Sequence, residues 1–145
     1  MEIIQGALPD ADASRPQIRL AIDRLTLAKR RWRGTAEDGC EFGFDLVGPL
    51  RDGDAFFSGA AGDYVIAQKY EPVLEVRSAE IGVRDFTEAA RLGWIIGNLH
   101  FQIAIAGDVV QVVDDPAVRQ LFEREGIPFA SYKRVFHPLS GGHRH

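Results

Sequence analysis

Cysteine is nearly absent from this sequence; Cys40 is the only one. One thiol cannot close a disulfide within the chain or build a thiolate metal cluster, and the composition fits a reducing compartment, so a cytoplasmic protein is expected. Long apolar runs are missing too. None approaches the roughly 20 residues that a membrane span needs. Met1-Glu2-Ile3-Ile4-Gln5-Gly6 lacks the basic region and apolar stretch of a signal peptide. Positive charge is not in excess, since 17 Lys and Arg face 21 Asp and Glu for a net charge of −4. Binding to nucleic acid through bulk electrostatics is therefore not expected. There is no internal repeat. There is also no Gly-x-x-x-x-Gly-Lys run to cradle phosphate, no His-Glu-x-x-His and no nucleophile elbow, so nothing points to an enzyme.

What is present reads as two domains. From Ile18 the first half alternates like strands: Ile18, Leu20 and Ile22, then Leu25 and Leu27, then Phe42, Phe44 and Leu46. Glu37-Asp38-Gly39, Arg51-Asp52-Gly53-Asp54 and Gly59 to Asp63 are turn signals between them. With no credible helix in this half, a mainly β N-terminal domain over residues 1–70 is expected, a small sandwich or barrel. The run Lys29-Arg30-Arg31-Trp32-Arg33 interleaves an aromatic with cations as a nucleic-acid element does. A strand with one charged, solvated face is the simpler reading, offset by Glu37, Asp38 and Glu41.

Near Glu71-Pro72 the character changes. Val73 to Val76 reads as a strand, followed by a helix capped by Asp85 or Thr87. Ala90, Gly93 and Gly97 would let that helix approach a sheet closely. His100 to Ala106 and Val109 to Val113 form a hairpin about Gly107-Asp108, and Asp114-Asp115-Pro116 opens a second helix that ends at Gly126. Phe129 to Phe136 is the last strand. The order βαββαβ is the ferredoxin-like arrangement, expected over residues 71–137. Residues 138–145 read as a flexible, histidine-containing tail.

The chemistry concentrates at Gly97-Asn98-Leu99-His100. Gly97 and Asn98 both tolerate the left-handed conformation that ends helices, which would hold His100 at the start of a strand in a rigid place. A lone histidine there is more often structural. However, His143 and His145 form a His-x-His pair on the tail and His137 stands at its base, so all four histidines fall in the second half. Neutral imidazole is a good ligand for nickel, copper and zinc. An ion takes four to six donors, and His100 supplies one. A two-fold dimer would bring two copies of His100 across its axis, and His143 and His145 could complete an exchangeable shell. Asp114-Asp115 is explained by capping, Asp52 and Asp54 by a turn, and Cys40 reads as a passive thiol.

The chain resembles the UreE family of urease accessory proteins. In the first half the likeness rests on Arg30-Arg31-Trp32-Arg33, Asp38-Gly39, Phe42-Gly43-Phe44-Asp45-Leu46 and Leu50-Arg51-Asp52-Gly53-Asp54. At the junction it rests on Glu71-Pro72-Val73-Leu74. Its most specific part is Leu92-Gly93 followed by Gly97-Asn98-Leu99-His100, with Gln102 and Ile103 behind. The resemblance implies a nickel metallochaperone, not an enzyme, that delivers Ni²⁺ to apo-urease together with the urease accessory GTPase. It implies a peptide- or partner-binding N-terminal domain and a homodimer formed through C-terminal metal-binding domains. The family's metal histidine falls on His100, and His143 and His145 correspond loosely to tail ligands. Zn²⁺ or Cu²⁺ could occupy the same site in vitro. This tail carries fewer histidines than many in the family. Where some members have extra histidines after the central hairpin, this chain has Asp114, Asp115 and Pro116, which speaks against auxiliary sites there. The alternative is a non-catalytic binding module whose tail histidines are incidental.

Overall fold

The structure, a computed structural model, describes residues 1–81 and 86–139. Of the two helix caps expected, Asp85 lies outside the described residues, as do the tail histidines His143 and His145, and Thr87 is not a cap because the helix Phe86–Asn98 already contains it. The chain is β-rich with a few helices and divides into two compact units, Met1–Lys69 and Tyr70–His145.

The first unit contains β1 (Glu2–Ile4), β2 (Gln17–Ile22), α1 (Arg24–Leu27), β3 (Arg31–Thr35), β4 (Glu41–Asp45), β5 (Ala55–Ser58) and β6 (Asp63–Gln68). They make two three-stranded sheets, β1-β4-β3 and β2-β6-β5. Each mixes one parallel pair, β1 with β4 and β2 with β6, with one antiparallel pair. Alternation decides the inward faces: Ile18, Leu20 and Ile22 are buried while Gln17, Arg19 and Ala21 are exposed. Both sheets contribute to one core that joins Trp32, Phe42 and Phe44 to Leu20, Phe56, Tyr64 and Ile66. Trp32 stacks on Phe44 with centroids 3.7 Å apart, and Phe42 meets Phe56 edge-on at 5.1 Å. Each such ring buried contributes about 1.5–3 kcal/mol from removed apolar surface.

Two local features depart from the sequence reading. Residues 2–4, which show no pattern, form a strand because β4 offers them a parallel partner. Leu25 and Leu27 lie in a short helix, not a strand, because the Asp23 carboxylate accepts the Thr26 amide at 2.9 Å and caps a turn. The basic run resolves into its simpler reading. Trp32 is in the core, and Arg30 and Arg31 both pair with Asp45, at 3.2 and 3.3 Å. Asp52 and Asp54 hold turns by accepting the amides of Gln68 and Arg51.

The second unit contains β7 (Glu71–Arg77), α2 (Ser78–Ile81), α3 (Phe86–Asn98), β8 (Ile103–Ala106), β9 (Val109–Val113), α4 (Pro116–Glu125) and β10 (Ala130–Arg134). Its four strands form one antiparallel sheet in the order β10-β7-β9-β8. Leu74, Val76 and Val112 point to the face covered by the helices, where they meet Leu92, Ile95 and Ile96 of α3 and Val118, Leu121 and Phe122 of α4. The start of α4 follows the sequence reading, with Asp115 accepting the Ala117 amide and Pro116 at the first position. Gly126 ends the helix at φ 66°. Asp114 is not part of that cap; Arg119 grips it with two bonds, 2.6 and 2.8 Å long, which hold its carboxyl below the usual carboxylate range.

The small residues of α3 do not mediate its approach to the sheet. Ala90 and Gly97 are exposed, and a Cβ built on Gly93 or Gly97 would meet nothing within 4 Å. The larger Leu92, Ile95 and Ile96 make the contact instead.

Candidate metal site

His100 occupies the turn that follows α3, and the local geometry differs from the sequence expectation in two ways. The helix runs through Gly97 to Asn98, so neither residue is the left-handed terminator; that conformation falls on His100 itself, at φ 61°. Strand β8 begins only at Ile103, three positions later. His100 is the one non-glycine residue with positive φ among the described residues. A side chain in that region costs about 1 kcal/mol, which surrounding structure must offset.

The offset is visible. The amide of His100 donates to the Gly97 carbonyl at 2.9 Å and that of Leu99 to Ile96 at 3.1 Å, closing the end of the helix. Leu99 and Phe101, on either side, are packed against the core beneath the helices. Both neighbours are therefore anchored inward while the imidazole between them is exposed. The exposed imidazole is thus held in the left-handed region by backbone hydrogen bonds and by its packed neighbours.

Each of the elements that flank this turn, α3 and β8, exposes one large apolar side chain. Trp94 is 68% exposed and Ile105 56% exposed. A cavity of about 380 Å³ lies between α3 and the β8–β9 hairpin, lined in part by Leu92, Gly93, Ile103 and Ile105. Among the described residues no three His, Cys, Asp or Glu side chains converge to hold a metal ion. Among the described residues, His100 belongs to no such group. His137 is exposed, and its neighbour Phe136 is buried.

Elsewhere the polar groups are structural. The Tyr64 hydroxyl donates to Asp38 at 2.6 Å and lies 3.2 Å from the Cys40 sulfur. The Asp38 carboxylate raises the Tyr64 ionisation, and the hydroxyl lowers that of Asp38. Glu75 is buried but accepts from Gln111 at 2.8 Å and Arg134 at 3.2 Å. The sequence gives no sign of this cluster, because it assembles from three strands that meet only in the folded sheet. No described helix is long and apolar enough to cross a membrane.

Comparison with known proteins agrees with the resemblance. Residues 71–145 match the family model of the UreE urease accessory protein C-terminal domain. The urease accessory protein UreE of Rhizobium meliloti is 28% identical over 138 residues, covering 90% of this chain and 86% of that protein. That of Ralstonia nicotianae is 27% identical over 137 residues, 88% of this chain and 61% of its own length. That of Sinorhizobium fredii is 31% identical over 94 residues, 65% and 56% respectively. The chain thus spans about three fifths of the length of the last two. With its second half matched from β7 onward, and the strained, outward-facing His100 inside the matched region, the chain belongs to the UreE family of urease accessory proteins.

Proposed function

We propose that this protein is a nickel metallochaperone, not an enzyme, which carries Ni²⁺ to apo-urease during assembly of the urease active site. The observation that carries the reading is His100, an exposed imidazole fixed in a left-handed conformation within the family-matched region. A carrier must bind its cargo and release it, and a single fixed donor supplemented by mobile ones meets both demands. The second unit is read as ferredoxin-like; its strand order β10-β7-β9-β8 with both long helices on one face supports that.

Two copies joined through their C-terminal units would place two His100 side chains about one axis. Exposed Ile105 and the largely apolar cavity that it lines support a second copy as the cover there, and Trp94 is a further exposed apolar group on α3. His143 and His145 then add exchangeable donors. Nitrogen ligands of this kind also take Zn²⁺ and Cu²⁺ in vitro. The first unit, residues 1–70, serves to engage a partner, and the cytoplasm is the working compartment. The recipients are the apo-urease complex and its accessory GTPase.

The test is transfer. The Ni²⁺-loaded protein, supplied as the sole nickel source to apo-urease with its accessory proteins, is expected to support activation, and His100→Ala is expected not to. Equal activation by both proteins would overturn the assignment of His100 as the anchoring ligand. Failure of the loaded wild type to activate, where free nickel succeeds, would instead favour a binding module with incidental histidines.

A further inference from the structure

Lys29, Arg30, Arg31 and Arg33 place four of the chain's 17 cations within one short run, in a protein whose net charge is −4. The carboxylates near it in sequence do not neutralise it. Glu37 accepts the Arg19 amide at 2.9 Å. Asp38 accepts the Tyr64 hydroxyl at 2.6 Å and the Cys40 amide at 3.0 Å. Glu41 stands opposite Thr35, at the other end of the β3–β4 pair from Arg31. Only Asp45 answers the run, and its Oδ1 serves both Arg30 and Arg31. Among the described residues Lys29 and Arg33 make no ion pair.

An apolar groove adjoins this charge. A cavity of about 260 Å³ lies between Ala28–Arg30 and Leu46–Pro49, so Lys29 and Arg30 share its lining with Leu46, Val47 and Pro49. The Leu46 amide donates to the Arg30 carbonyl at 2.9 Å, which ties the two walls together. The Val47 amide donates to the Gln5 carbonyl at 3.0 Å. Its side chain is nevertheless 92% exposed, the most of any large hydrophobic residue described. A fixed backbone thus presents a bare apolar side chain beside cations that lack partners.

We propose that this groove and the outer face of β3 dock an acidic segment of a partner protein, in which an apolar side chain stands next to Asp or Glu. The site deepens, and rests on, the reading of the first unit as the one that engages a partner. The apolar side chain enters the groove against Leu46, Val47 and Pro49. The flanking carboxylates reach Lys29 and Arg30 at its rim and, further along, Arg31 and Arg33, which share the exposed face of β3. Pairing of Arg30 and Arg31 with Asp45 does not prevent this, because exposed ion pairs contribute little and exchange readily. The groove lies below the roughly 300–1,000 Å³ of small-molecule pockets, a size that suits a side chain of a peptide. Charge complementarity with a polyanion such as RNA is the rival, but single strands are held by stacking on exposed aromatics. Trp32, the aromatic of this run, is turned into the core and stacked on Phe44 instead.

The test is fluorescence polarisation of two short labelled peptides, one alternating leucine with glutamate and one alternating leucine with lysine, titrated with the full chain without nickel. The glutamate peptide is expected to bind, less tightly as salt rises, and the lysine peptide at least about tenfold more weakly. Val47→Asp and Lys29→Glu each change an exposed side chain, so thermal unfolding should match wild type while affinity for the glutamate peptide falls about three- to tenfold. His100→Ala is expected to bind the peptide as wild type does, so the docking surface and the nickel site stand or fall separately. No binding of the glutamate peptide, or undiminished binding by Val47→Asp and Lys29→Glu, would overturn the acidic-segment site and leave the reading of His100 untouched. Tighter binding of a single-stranded oligonucleotide than of the glutamate peptide would overturn it in favour of nucleic acid.

Discussion

The two units build their cores by different means. In the first, two sheets face each other and share one aromatic core, so each sheet covers the other. In the second, a single sheet has helices on one face and Phe136, from the segment after β10, on the other, and Trp94 is left exposed, as is Ile105 at a cavity. The first unit also exposes Leu25 and Val47, but it contains no histidine and no non-glycine residue with positive φ. All four histidines belong to the second, as does His100, the one non-glycine residue with positive φ among the described residues. The first unit uses polar groups such as Asp52 and Asp54 to hold its own turns, whereas the second holds an exposed imidazole, His100, in a left-handed conformation.

If the two units unfold independently, damage to one core should leave the other's chemistry intact. Phe44→Ala removes the ring stacked on Trp32 and is expected to cost the first unit about 3–5 kcal/mol. Thermal unfolding should then show an early transition, while nickel titration below it matches wild type. A single transition shifted as a whole, with nickel affinity lowered in step, would break the comparison.

A charge placed at the exposed Trp94 of α3 sharpens it from the other side. Trp94→Glu removes no buried contact, so unfolding of the monomer should barely change, whereas self-association should weaken at least about tenfold, equivalent to about 1.4 kcal/mol. Sedimentation at several concentrations reads this directly. An unchanged dimer would show that copies meet elsewhere.

The Asp114–Arg119 pair gives a pH-dependent effect confined to the second unit. Asp114 ionises below its ordinary value because Arg119 bonds to it, so its contribution is present above the unfolded value of 3.8 and is lost as pH falls through the lower folded value. Asp114→Asn is expected to cost about 1 kcal/mol at pH 7, partly screened because Arg119 is 41% exposed. Chemical denaturation at pH 7 and near pH 2 should show that difference shrinking. A constant difference would assign the loss to shape instead of charge.

The smallest effect bears on strain. His100→Gly is expected to raise stability by about 0.5–1 kcal/mol, since glycine adopts φ 61° without penalty, while removing the ligand. A destabilised variant would mean that the imidazole itself makes a stabilising contact.

Much of this architecture was legible in the sequence because local chemistry and tertiary structure agree there. Asp115-Pro116 and Gly126 bound α4 as read, and the hairpin about Gly107-Asp108 lies between the expected strands. The misses arose where tertiary partners outweighed local pattern. β1 exists because β4 pairs with it, and the left-handed residue was placed on Gly97 or Asn98 by propensity but falls on His100, because Leu99 and Phe101 are drawn into the core. The root of the tail read as mobile from Pro138, yet Leu139 is bonded to Ile103; no periodicity marks such a contact. His100 as the residue of interest could be chosen from sequence, but the strain that singles it out could not.

The most direct measurement is the nickel content of the protein by native mass spectrometry at neutral pH, for wild type and His100→Ala. One tightly held ion per two wild-type chains is expected, and a His100→Ala protein that still pairs but loses that ion. Acidification should also empty the wild-type site, because protons compete with the metal for imidazole. A His100→Ala protein that retains one ion per dimer at wild-type affinity would contradict the account.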